Sequence, residues 1–168
     1  MIADIRQGLG VTRYHTQTRL RTETVGHHSA NVCAILLRLE RNCSRNLLIR
    51  ALMHDVPEYY TGDVPAPAKW DSPELKRELD ALEGRFIDKH FIPHPQLDES
   101  EELLLKTADM LDLLLSCIEE VRMGNSYAEK LVSTAKEYIM GLGLPTRYQQ
   151  RVDLMIKEVV EYEYERER

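Results

Sequence analysis

Apolar residues in this chain return every three or four positions and almost nowhere every second position. Residues 99–123 show this most regularly, through Leu103, Leu104, Thr107, Met110, Leu111, Leu114, Cys117, Ile118 and Val121. Such spacing covers one face of a helix, whereas a half-buried strand would alternate. Residues 26–40 carry a second broad stripe through Ala30, Val32, Cys33, Leu36, Leu37 and Leu39. Ser44 is placed to cap a helix through Leu47, Leu48, Ala51 and Leu52. Ser72-Pro73-Glu74 predicts another start, with Ser as cap and Pro in the first turn, for a helix reaching residue 89. Residues 127–140 and 146–164 predict two more. Between residues 57 and 67, three prolines and Gly62 stop any long element. The tail, 161–168, alternates charge and reads as a solvated helix end. One all-α domain over residues 1–168 is expected, a bundle of about six or seven helices.

Charge and composition remove several function classes. Lys plus Arg number 22 against 28 Asp plus Glu, a net charge of −6, with 43 % apolar and 30 % charged residues. That balance is ordinary for a folded soluble domain and wrong for a disordered chain. An acidic whole is a poor footprint for a nucleic-acid polymer, although a small phosphate ligand needs only local basic groups. No apolar run approaches the roughly 18 residues of a membrane span, so no membrane partner is expected. Met1-Ile2-Ala3-Asp4 has no basic segment leading into an apolar core, so no signal peptide is expected. Cys33, Cys43 and Cys117 form no CxxC and suit a reducing cytosol. The expected location is the cytoplasm of a bacterium, or of a phage's bacterial host.

Chemistry-bearing residues gather around the proline-broken stretch. His54-Asp55 closes an apolar helix just before it. Upstream, Glu23-Thr24-Val25-Gly26-His27-His28-Ser29 opens the 26–40 helix. Downstream, Lys106-Thr107-Ala108-Asp109 lies in mid-helix. Asp109 either sits at the stripe edge in water or, if buried, needs a partner or a metal. Helical phase leaves both readings open. Together, His28, His54, Asp55 and Asp109 offer two imidazoles and two carboxylates, a set suited to Mn²⁺, Co²⁺, Zn²⁺, Fe²⁺, Ni²⁺ or Mg²⁺. Glu58 follows His54 by four residues and would share its face on a continued helical turn. There it could orient a water and take its proton.

The ordered set resembles the HD-domain phosphohydrolases, and in particular their deoxynucleotide-specific branch. It comprises Arg13-Tyr14, Arg21-Thr22-Glu23-Thr24-Val25-Gly26-His27-His28-Ser29, His54-Asp55-Val56-Pro57-Glu58, Thr61-Gly62-Asp63-Val64-Pro65-Ala66-Pro67-Ala68-Lys69 and Lys106-Thr107-Ala108-Asp109. That branch includes the bacterial 5′-deoxynucleotidases and the short phage enzymes that turn dATP into deoxyadenosine and triphosphate. The resemblance implies that His28, His54, Asp55 and Asp109 bind a divalent metal ion and that Glu58 and Asp63 are catalytic. It also implies that Arg13 stands at the phosphate or sugar and that Lys69 can meet phosphate; Arg21, in the same basic segment as Arg13, is a further phosphate candidate by its residue type. Tyr14 stands where the bacterial nucleotidases usually have Trp, and its flat ring remains suited to stacking. Arg19 reads as part of a solvated basic loop. His15, close to the expected base site, is a minor candidate; His90 and His94 read as non-chemical, and Trp70 reads as a packing group.

The expected activity is cleavage of the 5′ phosphoester of a small-molecule 2′-deoxynucleotide. The short chain and Tyr14-His15-Thr16 favour a dATP triphosphohydrolase, with a 5′-deoxynucleotidase releasing phosphate from dNMPs as the alternative. Hydrolysis of a signalling nucleotide and a non-catalytic nucleotide sensor are further alternatives. The resemblance also implies a homo-oligomer, a dimer or a larger ring.

Overall fold

A computed structural model of the protein describes residues 2–161, the Trp70 side chain excepted. The charged tail beyond Glu161 and the Trp70 packing group therefore lie outside the described residues. Among those residues there are eight α-helices, two short 3-10 turns and no strand. A lone antiparallel bridge joins Thr12 and Thr24. No described helix is long and apolar enough to cross a membrane. The all-α expectation holds. The structure adds two short helices to the predicted set, α1 (Ile2–Leu9) and α4 (Ala66–Asp71). Both hide from a periodicity reading, being only two turns or less and punctuated by glycine or proline.

Packing groups the elements into two compact units. The first comprises Met1–Thr18, Thr22–Asn31 and Ser44–Gln96. It holds α1, the start of α2 (Val25–Leu39), α3 (Arg45–Met53), a 3-10 turn at Val56–Tyr59, α4 and α5 (Pro73–His90). Ser44 and Ser72 cap α3 and α5 as predicted, accepting from Leu47 N and Leu75 N. The core of this unit is Val56, Phe86 and Ile92, with Ile5, Leu9, Met53, Tyr59 and Ile87 packed on it. Burying Val56 pins the 3-10 turn that follows His54-Asp55. Gly8 makes this approach possible, because a Cβ there would lie 2.4 Å from the Val56 carbonyl oxygen.

The second unit comprises Arg19–Arg21, Val32–Cys43 and Leu97–Arg168. Within it, α6 (Glu99–Arg122) packs on α7 (Glu129–Gly141) and α8 (Thr146–Glu161). A reciprocal capping box between Asp98 and Glu101 fixes the start of α6. The predicted apolar stripe is buried at Leu104, Thr107, Leu111, Leu114, Cys117 and Ile118. A second buried row runs beside it at spacing four: Asp112, Ser116 and Glu120.

Glu120 explains why a carboxylate belongs in that row. It accepts from Leu20 N at 2.8 Å, Arg21 N at 3.1 Å and Asn125 Nδ2 at 2.7 Å. Burial works to raise its pKa, but these donors and the Arg19 guanidinium outweigh it and hold Glu120 below the ordinary carboxylate value. Arg19 also donates to Ser116 Oγ. Arg19 is therefore not part of a solvated loop; its side chain is 8 % exposed and anchors the Arg19–Arg21 segment on α6. Glu120→Ala strands these donors and is expected to cost about 3 kcal/mol, read by chemical denaturation. A loss below about 1 kcal/mol would mean that water satisfies the donors instead.

Candidate functional site

Most of the predicted site residues fall in the first unit. His54 caps the C-terminus of α3, whose buried face holds Leu47 and Ala51. The helix stops at Met53, ahead of the proline-broken stretch as expected, and the chain continues as a 3-10 turn, so the continued α-helical turn on which Glu58 would share the His54 face does not form. Pro57 near the start of that turn is the reason, since proline offers no N–H to continue the ladder. The His54 Nδ1 donates to the Ala51 carbonyl at 2.8 Å. A carbonyl only accepts, so this contact assigns the ring proton to Nδ1 and the lone pair to Nε2. That Nε2 is buried, makes no hydrogen bond among the described residues, and lies 3.4 Å from Asp55 Oδ1. His28, fully buried in the first turns of α2, brings its own Nε2 to 3.6 Å from Asp55 Oδ2. The two imidazole rings lie 5.3 Å apart. Adjacent helical residues do not share a face, and His27 is exposed.

Arg13 reaches the same carboxylate. Its Nη1 donates to Asp55 Oδ2 at 2.5 Å, and its Nε lies 3.5 Å from Glu23 Oε1. Glu23 is buried; sequence reading used it only as part of a motif. Its signal was its place two residues ahead of α2, the helix that carries His28. The loop carrying Arg13 is held at its base by the Thr12–Thr24 bridge and by Arg13 N donating to Glu23 O at 2.9 Å. The Arg13 guanidinium also lies 5.1 Å from the centre of the Tyr14 ring. Tyr14 has φ +57, a left-handed backbone, and its N–H donates to Asp63 Oδ2 at 2.6 Å.

Glu58 is buried within the 3-10 turn, and its Oε2 has no hydrogen-bond partner among the described residues. Burial first, then the charges of Asp55 and Asp63, push its pKa up to about 9 against the opposing pull of Arg13 and Lys69. In the metal-free protein Glu58 therefore holds a proton near neutral pH. Lys69 ends α4, half-buried. Glu83 on α5, which sequence reading missed, has its pKa raised by burial, with Lys69 opposing. It sits in a helix of mixed charge, where nothing in the pattern marks it out.

Other predicted residues lie in the second unit. Asp109 is half-buried on α6. The exposed Arg21 guanidinium donates to Glu119. Back in the first unit, His15 is exposed, as read from sequence, while His90 closes α5 with its ring against Phe86.

The residues of the first unit fit a divalent cation. An imidazole that donates its Nδ1–H to a carbonyl and leaves Nε2 unused is oriented as metal-binding histidines are. The Nε2 atoms of His54 and His28, both beside the Asp55 carboxylate, make a borderline N/O donor set, and all three thiols belong to the second unit.

Comparison with known proteins agrees. The sequence model described as 5′-deoxynucleotidase YfbR-like matches residues 2–162. A 5′-deoxynucleotidase of Enterobacter sp. (strain 638) is 30 % identical over 139 residues, covering 69 % of this chain and 70 % of that one. One from Photorhabdus temperata is 32 % identical over 139 residues, covering 69 % and 71 %. Among solved structures, the cyanophage S-2L HD phosphohydrolase DatZ, bound to dA and one catalytic Zn²⁺ ion, superposes with a TM-score of 0.73. The identity is 16 %, over 96 % of this chain and 97 % of that one. An HD-domain phosphohydrolase of Listeria innocua gives 0.71 at 22 % identity, over 95 % and 85 %. These two likenesses concern the fold. With the sequence model spanning nearly the whole chain, the protein belongs to the YfbR-like 5′-deoxynucleotidase family.

Proposed function

We propose that the protein hydrolyses the 5′ phosphoester of 2′-deoxynucleoside monophosphates, releasing a deoxynucleoside and inorganic phosphate. The observation behind this reading is Asp55 set between the Nε2 atoms of His28 and His54, with Arg13 on one of its oxygens and the protonated Glu58 nearby. Family membership supports the substrate class. The lean toward dATP triphosphohydrolysis, drawn from chain length and Tyr14-His15-Thr16, gives way here. The curated relatives are 5′-deoxynucleotidases, and the likeness to DatZ, at 16 % identity, is one of fold.

His28, His54 and Asp55 would hold the cation, and the family resemblance adds Asp109. When bound, a divalent ion supplies Lewis acidity toward the phosphoryl group and lowers the pKa of water. Arg13 and Lys69 meet the phosphate; Arg is suited to this by its fork of N–H donors. Arg21, whose exposed guanidinium donates to Glu119, is a further phosphate candidate, since an exposed ion pair exchanges readily for a phosphate. Glu58 is the proton carrier. In its acid form it can protonate the departing 5′ oxygen, and as carboxylate it can orient and deprotonate the attacking water. The Tyr14 ring offers a flat face to the base. The site thus has a metal set, a phosphate pair and a proton carrier, which a sensor would not need.

Purified protein supplied with Mn²⁺, Co²⁺, Zn²⁺ or Mg²⁺ is expected to convert dAMP to deoxyadenosine and phosphate, resolved by chromatography. Release of intact triphosphate from dATP, with dAMP untouched, would restore the phage-type activity. Turnover of ppGpp alone would move the protein to the signalling hydrolases. The same reading makes the protein a homo-oligomer, which light scattering would refute by finding a monomer.

A further inference from the structure

Asp63 lies beside the site, yet its carboxylate is engaged by the main chain. Its Oδ2 accepts the Tyr14 N–H at 2.6 Å across 49 residues of sequence. Tyr14 has φ +57, a backbone region that side chains other than glycine avoid because Cβ crowds the carbonyl. Its carbonyl accepts from Gln17 N at 2.9 Å, so Tyr14 opens a turn with both backbone polar groups satisfied. Asp63 is itself presented by a left-handed residue, Gly62 at φ +69, whose N–H donates to Glu58 O at 2.7 Å. The carboxylate, the strained tyrosine and the buried Glu58 are thereby linked through one short chain of hydrogen bonds.

We infer that Asp63 is a positioning residue: its carboxylate latches the Tyr14 amide, holds the left-handed turn, and so fixes where the Tyr14 ring and the Arg13 guanidinium stand. Arg13 is coupled to this turn directly, its Nη2 donating to the Tyr14 hydroxyl at 3.3 Å. The inference rests on the dNMP hydrolase reading for its consequence, though not for its geometry. Without the latch, the strain at Tyr14 loses the hydrogen bond that reaches it from across the loop, and the turn relaxes toward ordinary backbone angles. Ring and guanidinium then sample several positions, which weakens substrate binding more than it slows the bond-breaking step.

Two measurements on the purified full-length protein test this. The first needs no activity. By NMR hydrogen exchange, the Tyr14 amide is expected to be protected in the wild type and in Asp63→Asn, which keeps an acceptor oxygen. In Asp63→Ala it is expected to exchange about tenfold or more faster, the loss of one charge-assisted hydrogen bond. An unprotected Tyr14 amide in the wild type overturns the latch whatever the protein hydrolyses.

The second measurement is steady-state kinetics with dAMP. Asp63→Ala is expected to raise KM about tenfold with kcat changed by less than about threefold, and Asp63→Asn to recover most of the loss. In a Tyr14→Gly background, Asp63→Ala is expected to change KM by less than about twofold, because glycine takes φ near +57 unaided. A fall in kcat of about 100-fold in Asp63→Asn, with the Tyr14 amide still protected, would instead make Asp63 a proton-transfer group and overturn the inference. Failure of the wild type to turn over any dNMP would remove the functional reading, while the exchange experiment would still decide the latch.

Discussion

His54→Ala and Asp55→Asn are each expected to abolish metal-dependent turnover while leaving the helical far-ultraviolet spectrum in place. His54 caps α3 from outside its last turn, and the α3 core contacts run through Leu47 and Ala51. Removing the imidazole therefore spares the apolar packing. It does remove a ring whose Nδ1 is tied to the Ala51 carbonyl and whose Nε2 lies 3.4 Å from Asp55 Oδ1. Asp55→Asn keeps the shape of the side chain and an acceptor for Arg13, but loses the charge that balances a cation. Loss of an outer-shell partner costs roughly 10–100-fold in metal affinity or activity, so loss of a direct ligand should exceed that. Metal content measured alongside turnover separates the causes. Each variant should bind less metal than the wild type under identical loading. Full metal occupancy with normal turnover in either variant would take that residue out of the metal set.

The helices were legible wherever burial follows a single stripe. α6 begins at Glu99 as predicted, and the capping serines at 44 and 72 stand where the sequence places them. What sequence could not supply was burial achieved without apolar side chains. α1 meets the rest of its unit through Gly8, whose value lies in a missing Cβ. Glu120 is fully buried in a row that a hydrophobicity pattern discards, because its partners are the N–H groups of a segment about 100 residues earlier. Arg19 was misread for the same reason: its counter-charge is distant in sequence. Glu23 and Glu83 escaped notice because a glutamate near a helix start or on a mixed-charge helix is ordinary until its neighbours are known.

The site was readable in identity more than in geometry. The order of His28, His54-Asp55 and Glu58 points to metal-assisted chemistry through its resemblance to the HD-domain pattern, since His54-Asp55 alone reads equally as a helix end. Yet spacing alone put Glu58 on an extended α-helical turn with His54. Pro57 instead tightens the chain into a 3-10 turn, and it is this turn that buries Glu58. Likewise, Asp63 was readable as an acidic residue of the Thr-Gly-Asp loop, while its bond to the Tyr14 amide depends on a left-handed backbone that no residue type in that stretch announces.

Burial of Glu58 has two consequences that one variant, Glu58→Gln, exposes together. Turnover is expected to fall by about 10²–10⁴-fold with metal still bound, the usual worth of a general acid–base group, because an amide cannot carry the proton. Stability should move the other way. In the metal-free protein the Glu58 pKa rises from its ordinary 4.5 to about 9, so across that window the folded chain holds a proton that the unfolded chain has released. The contribution of this group to stability is thus fully present below the unfolded pKa and is lost as pH rises toward the folded one. Gln carries no such slope. Glu58→Gln should match the wild type at acidic pH and exceed it by roughly 3.5 kcal/mol at pH 7, the part of the pKa difference accrued by that point. Denaturant unfolding of metal-free protein between pH 5 and 8 reads the divergence, roughly one unit of pKa per 1.4 kcal/mol. Parallel curves for the two proteins would mean that Glu58 is ionised in the fold. It would then act as the base toward water and not as the acid toward the leaving oxygen.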